Sequence, residues 1–171
     1  QPLHAFDFDQ LAQNRIVVKT ATDGDRFVTL DQKERQLNSR MLMICDGEKQ
    51  VAIGGVMGGL NSEIEATSRR VLIESAYFNP LAIAGRARSY GLHTDSSHRF
   101  ERGVAVDLQV PAMERATKLL LEIVGGKAGP IIEVSAPDKM PARTNITLRE
   151  TRISRVLGAS VEAKTVSEIL S

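Results

Sequence analysis

The segment Met41-Leu-Met-Ile-Cys-Asp-Gly-Glu-Lys-Gln-Val-Ala-Ile53 decides the predicted fold. It holds two short apolar runs on either side of Asp46-Gly47, and an Asp-Gly pair in that setting is a strong signal for a β-hairpin. Further runs of β-branched or apolar residues at 16–18 and 27–30 are also separated by turn residues. The sequence from Arg15 to Gly54 therefore predicts antiparallel strands joined by tight turns.

Outside this hairpin the pattern predicts more strands and then two helices. A second hairpin is predicted from 29–31 to 35–37, and a further strand at 71–74. Asn79-Pro80 is typical of a helix start, so helices are predicted at roughly 80–90 and 108–124. The apolar residues of the second helix recur on one side and are predicted to be core, namely Leu108, Met113, Ala116, Leu119, Leu120 and Ile123.

The last third of the chain is predicted to contain a boundary. Residues 131–134 resemble a strand, and the proline-rich, polar residues that follow are typical of a linker at 136–144. Beyond it, 145–171 predict a strand at 146–148 and two short helices, the start of a second small domain. Because the chain lacks a start methionine and ends within a helical pattern, it is expected to be a piece of a longer protein. The predicted fold class is α+β with largely antiparallel strands, in a domain at 1–135.

Composition limits the possible partners. The 171 residues are 42% apolar and carry 22 basic and 21 acidic side chains, for a net charge of +1. Any contact with nucleic acid must therefore be local, and the arginines at 86, 88, 99 and 102 are the best candidates. No run is long enough to span a bilayer, and Cys45 is alone, so the sequence favours the cytoplasm.

The polar segment Gly91–Gly103 is predicted to be a loop that carries or frames a site. His93 and His98 lie five residues apart without a metal-ligand motif, so no metal is expected. Ser96 and Ser97 lack the surroundings of a nucleophilic serine.

Three other features have both a structural and a functional interpretation. The glycines of 54–59 follow a strand but match neither phosphate-binding pattern, so a tight strand-to-strand corner is favoured over a ligand wall. Glu74 ends an apolar run and is expected to be partly buried, where it needs a partner. That partner is either a ligand or an arginine such as Arg99 or Arg102. His4, on pattern alone, is expected to be a surface or edge residue.

Several longer motifs resemble one family. They are Gln1-Pro-Leu-His-Ala-Phe-Asp7, Gly55-Val-Met-Gly-Gly59, Leu72-Ile-Glu-Ser-Ala-Tyr-Phe78, Thr94-Asp-Ser-Ser-His-Arg-Phe-Glu-Arg-Gly103 and Met113-Glu-Arg-Ala116. In this order they are similar to the β chain of bacterial phenylalanyl-tRNA synthetases, over essentially the whole chain. The resemblance implies a three-layer β/β/α sandwich that forms the tRNA-editing domain, without its upstream part, followed by the start of a nucleic-acid-binding module.

The resemblance also implies an activity and partners. In that family the region hydrolyses tyrosine wrongly esterified to phenylalanine tRNA. The full enzyme is a cytoplasmic α2β2 heterotetramer that uses ATP and magnesium to join phenylalanine to its tRNA. No cofactor is implied for this chain itself, since the synthetic site belongs to the α chain.

The family's editing residues fall here on five positions. His4 and Thr94 are expected to act in catalysis by positioning the tRNA end or the water, while Gly58, Glu74 and Ser96 are expected to contact the substrate. Ser96 departs from the alanine common in the family, and Ala105-Val106 replaces the usual Asp-Pro. The alternative is a structural and tRNA-docking module of the β subunit with no activity of its own.

Overall fold

The computed structural model describes residues 1–142 and 144–171. The chain divides into two compact units, Gln1–Glu133 and Val134–Ser171. The assignment of 1–135, 136–144 and 145–171 to separate functional modules stays a prediction.

The first unit contains three antiparallel sheets. The hairpin predicted at 41–53 is confirmed, since Leu42–Cys45 pairs with Gln50–Ile53. The second hairpin pairs Arg26–Val28 with Glu34–Gln36, so residues 29–31, predicted to be its first strand, lie in its turn instead. β2, β5, β6 and β7 form a four-stranded sheet in that order, while β1 pairs with β8 and β3 with β4. The strands are β1 His4–Asp7, β2 Val17–Thr20, β3 Arg26–Val28, β4 Glu34–Gln36, β5 Leu42–Cys45, β6 Gln50–Ile53, β7 Met57–Gly58 and β8 Val71–Glu74.

Helices follow the strands, as the α+β prediction requires. Single-turn 3₁₀ segments lie at Phe8–Gln10, Ala12–Asn14, Leu60–Ser62 and Pro137–Lys139. The α-helices are α1 Pro80–Ile83, α2 Arg86–Ser89, α3 Asp95–Phe100, α4 Gln109–Val124, α5 Glu150–Leu157 and α6 Ala163–Leu170. None of the helices in the described ranges is long and apolar enough to cross a membrane.

The core of the first unit joins the sheets to the short helices. Met41, Met43 and Val51 of the sheet region are fully buried, and Ile83 and Phe100 from α1 and α3 belong to the same apolar cluster. Phe78 and Phe100 meet edge to face with ring centroids 4.9 Å apart. Burying a side chain of this size contributes about 1.5–3 kcal/mol. This cluster therefore fixes α3 against the sheet.

Two helix predictions need correction. The helix predicted at 80–90 is divided into α1 and α2, because Gly85 takes a left-handed conformation with φ +74°. The segment at 91–103, predicted to be a loop, contains α3. Its side chains offer little apolar periodicity, so tertiary packing of Phe100 and a local cap determine this helix.

The predicted core stripe of α4 is wrong. None of the residues of α4 is buried; Leu119, Leu120 and Ile123 have exposed fractions of 37%, 42% and 77%. Leu108, which precedes the helix, is also exposed, while Met113 and Ala116 are half-buried. Helical spacing shows that one face of α4 is apolar, but it does not show that other residues of this chain pack against that face.

The strands predicted at 131–134 and 146–148 are not formed. Both segments are short apolar runs, for which periodicity alone decides little. The two short helices predicted after them are confirmed as α5 and α6.

Candidate functional site

Two strands distant in sequence bring His4 and Glu74 together. In the β1–β8 pair, His4 lies directly opposite Glu74. Residues opposite each other in an antiparallel pair project to the same face of the sheet. An imidazole and a carboxyl group, 70 positions apart in sequence, therefore share one surface.

Gly58 forms the wall beside His4. A Cβ added at Gly58 would lie 2.4 Å from Cε1 and 2.6 Å from Nε2 of the His4 ring. No side chain fits at that distance, so only glycine allows the imidazole to lie against β7. The backbone is held in place there, since Leu30 N–H donates to the Gly58 carbonyl at 3.0 Å. The glycine segment thus forms a strand-to-strand corner, as predicted, and a cavity wall as well.

These residues line a small cavity of about 80 Å³. Four of the five predicted site residues contribute to it, and the remaining lining comes from β5, β6, the turn before β7, the N-terminal residues and α3. The lining residues are Pro2, Leu3, His4, Ile44, Ala52, Ile53, Gly54, Gly55, Val56, Met57, Gly58, Glu74, Ser96 and Phe100.

The Glu74 carboxyl has an unusual environment. The residue is half-buried, and burial raises the pKa of its carboxyl to about 7. Of the two partners considered for Glu74, the arginine is not found: within residues 1–142 and 144–171 no basic group pairs with Glu74. Arg102 instead donates to Glu101 Oε1 at 2.9 Å and lies 3.0 Å from His98 Nδ1. The Glu74 carboxyl is therefore available to a ligand.

His4 is half-buried and lies on β1, an edge strand, so it is an edge residue, one of the two positions predicted for it. Its ring packs edge-on against Phe6 with centroids 4.5 Å apart, and burial lowers its pKa. A lowered pKa keeps the imidazole neutral near pH 7, so one ring nitrogen can accept a hydrogen bond and the other can donate one.

Thr94 and Ser96 are placed by the start of α3. Thr94 is the N-cap residue, and its hydroxyl oxygen accepts from Ser97 N–H at 3.0 Å. The same hydroxyl donates to the Val56 carbonyl at 2.9 Å, and the Ser96 hydroxyl donates to the Gly55 carbonyl at 3.1 Å. Ser96 lines the cavity. Thr94 is not among the described residues that line it.

Sequence reasoning missed the apolar part of this site. Phe100 and Ile44 line the cavity, yet each looks like an ordinary core residue in its own segment. The glycines at 54, 55 and 58 could have indicated these two residues. Because glycine has no side chain, apolar residues packed against a glycine-rich turn can reach the cavity. As for metals, the described residues contain no cluster of three or more His, Cys, Asp or Glu side chains suited to bind one.

Comparison with known proteins identifies the family. The family model of the B3/4 domain matches residues 1–125. The chain belongs to the B3/4 domain family. The match includes both strands of the His4–Glu74 pair, the glycine corner and α3, so the whole cavity lies inside the B3/4 domain.

Curated relatives extend the similarity to the whole chain. It is 46% identical over 170 residues to the phenylalanine–tRNA ligase beta subunit of Yersinia pestis, covering 99% of this chain and 21% of that protein. The beta subunit of Pseudoalteromonas translucida is 50% identical over 170 residues, with the same coverage. The beta subunit of Pseudomonas fluorescens is 50% identical over 171 residues, covering 100% of this chain and 22% of that protein. The chain thus spans about a fifth of these relatives.

Proposed function

We propose that this chain forms the proofreading site of a phenylalanine–tRNA ligase β subunit. Water hydrolyses the ester that joins a mischarged tyrosine to phenylalanine tRNA: it adds to the carbonyl carbon, the bond to the ribose oxygen breaks, and free tyrosine and tRNA leave. The similarity to β subunits and the B3/4 family match support this assignment. The full enzyme, with its α chain, ATP and magnesium, would act in the cytoplasm as an α2β2 assembly.

The observation that carries the proposal is the Glu74 carboxyl, half-buried in the cavity and without an ion-pair partner among the described residues. Tyrosine differs from phenylalanine by one hydroxyl group, and an apolar synthetic site rejects an added hydroxyl by only about 10²-fold. An editing site cannot exclude the larger tyrosine by size, so it must bind the hydroxyl itself. Glu74 supplies the acceptor.

The charged form of Glu74 provides the selectivity for tyrosine. With its pKa at about 7, the carboxyl is divided between acid and carboxylate at neutral pH. The carboxylate accepts a short, charge-assisted hydrogen bond from a phenol. With phenylalanine it would stay desolvated and unpaired, at a cost of about 1–3 kcal/mol. Tyrosine is therefore bound in preference to phenylalanine.

The other residues hold the ester and the water. His4, neutral and next to Glu74, can accept a proton from water or hold it by a hydrogen bond. Gly58 lets the substrate approach the backbone closely. Positioning alone contributes much of the acceleration needed for ester hydrolysis, so the mechanism needs no metal and no covalent nucleophile.

A second candidate function is a structural and tRNA-docking module. The cavity of about 80 Å³ favours it, because pockets that enclose small molecules usually measure about 300–1,000 Å³. Such a module would bind tRNA with salt-dependent affinity and release no tyrosine.

The test is deacylation by the complete α and β chains. Phenylalanine tRNA charged with labelled tyrosine is supplied, and release of tyrosine is followed for wild type, Glu74→Ala and the control Glu63→Ala, which removes an exposed carboxyl. We expect Glu74→Ala to slow the release by about 5-fold to 150-fold, which corresponds to the 1–3 kcal/mol of an unmade hydrogen bond, while phenylalanine charging stays normal. If wild type binds the mischarged tRNA but releases no tyrosine, the docking module is favoured.

A further inference from the structure

The turn that leads into β7 leaves two backbone carbonyls to be satisfied from outside the sheet. Val56 N–H donates to the Ile53 carbonyl at 3.0 Å, and Gly55 takes φ +68°, so residues 53–56 form a tight hairpin turn. Gly55 and Val56 lie outside the paired residues of β6 and β7, which are Ala52 with Gly58 and Ile53 with Met57. A carbonyl left unpaired near a cavity costs free energy and competes for substrate donors.

Helix α3 supplies both donors. Thr94 Oγ1 reaches the Val56 carbonyl at 2.9 Å, and Ser96 Oγ reaches the Gly55 carbonyl at 3.1 Å. Ser97 Oγ is a second possible acceptor, 3.0 Å from Thr94 Oγ1. Because the Val56 carbonyl is the nearer of the two acceptors, we place the single Thr94 hydroxyl proton on it. We call these two contacts the hydroxyl clasp.

The clasp joins residues that line the cavity, namely Gly55, Val56 and Ser96. Val56 is two residues from Gly58, whose backbone lies against the His4 ring, and His4 lies opposite Glu74. A shift of the turn toward the ring would produce a clash, and a shift away would open the cavity. The width of the cavity between Gly58 and the His4–Glu74 pair thus depends on where α3 holds the Val56 carbonyl.

We propose that Thr94 is a positioning residue for editing, which acts through the hydroxyl clasp on the Gly55–Val56 turn and not by contact with the reacting ester. This inference rests on the proposed function and assigns to Thr94 a role different from direct catalysis. Ser96 provides the second half of the clasp, with the longer contact of 3.1 Å.

Substitutions at Thr94 separate its two hydrogen bonds. Thr94→Ser keeps the helix cap and the donor to Val56. Thr94→Asp keeps the cap, because aspartate is an equally good N-cap residue, but an ionised carboxylate cannot donate. Ser89→Asp, on the exposed side of α2, adds the same charge without touching the clasp.

In the complete enzyme, we expect Thr94→Asp to lower kcat/KM for tyrosine release by on the order of tenfold to a hundredfold, with reduced preference for tyrosine over phenylalanine esters. The kcat/KM of Thr94→Ser and of Ser89→Asp should stay within about threefold of wild type, because neither variant removes the donor to the Val56 carbonyl. Normal editing by Thr94→Asp, or a loss as large in Thr94→Ser, would overturn the proposal.

Amide hydrogen exchange provides the readout that separates positioning from catalysis. In Thr94→Asp, exchange should accelerate at residues 54–58, while the free energy of unfolding of the whole protein falls by no more than about 1–3 kcal/mol, the cost of one unmade hydrogen bond. Loss of activity with unchanged exchange would make Thr94 a catalytic residue and overturn the inference. A wild-type enzyme that releases no tyrosine would instead refute the proposed function, and normal release with normal Thr94→Asp kinetics would refute the clasp alone.

Discussion

Glu74 gives the fold a pH dependence of defined sign. Burial raises the pKa of its carboxyl from 4.5 to about 7, so between these values the folded protein keeps a proton that the unfolded chain releases. The free energy of unfolding must therefore fall as pH rises. The contribution of Glu74 is complete below about pH 4.5 and is lost as pH passes through 7, by a total on the order of 3 kcal/mol.

Glu74→Gln removes this titration. Between pH 5 and pH 8 the titration of Glu74 should lower the free energy of unfolding of wild type by about 2 kcal/mol. The variant should not show this loss. Urea unfolding at the two pH values measures the change. Glu63→Gln, at an exposed position, should show the same difference from wild type at both. If Glu74→Gln behaves like this control, the carboxyl titrates normally.

Ser96 tests whether the cavity is the reaction site. Ser96→Trp adds an indole to a cavity of about 80 Å³, and a packed site accommodates such a group only with strain. Tyrosine release should fall at least tenfold, while Ser96→Ala should stay near wild type, since water can take the place of its hydroxyl. Deacylation assays and circular dichroism on both variants check the effect and the fold. Equal losses in the two would assign the chemistry to the hydroxyl.

The sequence predicts single residues only as far as local pattern reaches. Glu74 ends an apolar run, so its burial could be predicted. Its partner could not, because the position of Arg99 and Arg102 depends on α3, whose existence the pattern did not reveal. The pairing of His4 with Glu74 joins residues 70 positions apart and was not predicted, although the family resemblance placed both residues in one site.

At the scale of elements, local signals decided what could be predicted. The Asp46-Gly47 turn fixes the β5–β6 hairpin from adjacent residues. Helix α3, in contrast, begins with a capping box that has Ser97 at the third position in place of the usual Glu or Gln. It also buries only Phe100 among its large side chains, so periodicity could not identify it.

Helix α4 provides a stability test at this scale. Leu120 is 42% exposed, so Leu120→Ala should cost less than about 1 kcal/mol in the chain as it stands. Phe100→Ala, which empties a buried position, should cost about 3–5 kcal/mol. Denaturant unfolding of both variants measures the contrast. A loss of several kcal/mol in Leu120→Ala would restore the core assignment first inferred from spacing.

At the scale of the whole molecule, the buried apolar cluster belongs to the first unit. The buried apolar cluster lies entirely between Phe6 and Phe100, far from the boundary at Glu133 and Val134. We therefore expect a chain of residues 1–133 to unfold at the same urea midpoint as residues 1–171, within about 0.3 M, a few tenths of a kcal/mol at typical urea dependence. A clear drop in the midpoint would show that 134–171 stabilise the first unit.

The position of Cys45 allows local opening of the sheet to be followed by thiol labelling. It is the one cysteine of the sequence, buried on β5, and burial raises the pKa of its thiol. Because only the thiolate attacks alkylating reagents, an intact sheet should protect Cys45 almost completely. The rate at which Cys45 is alkylated would then report how often β5 separates from its neighbours. A ligand that binds in the cavity and stabilises the sheet should slow this alkylation.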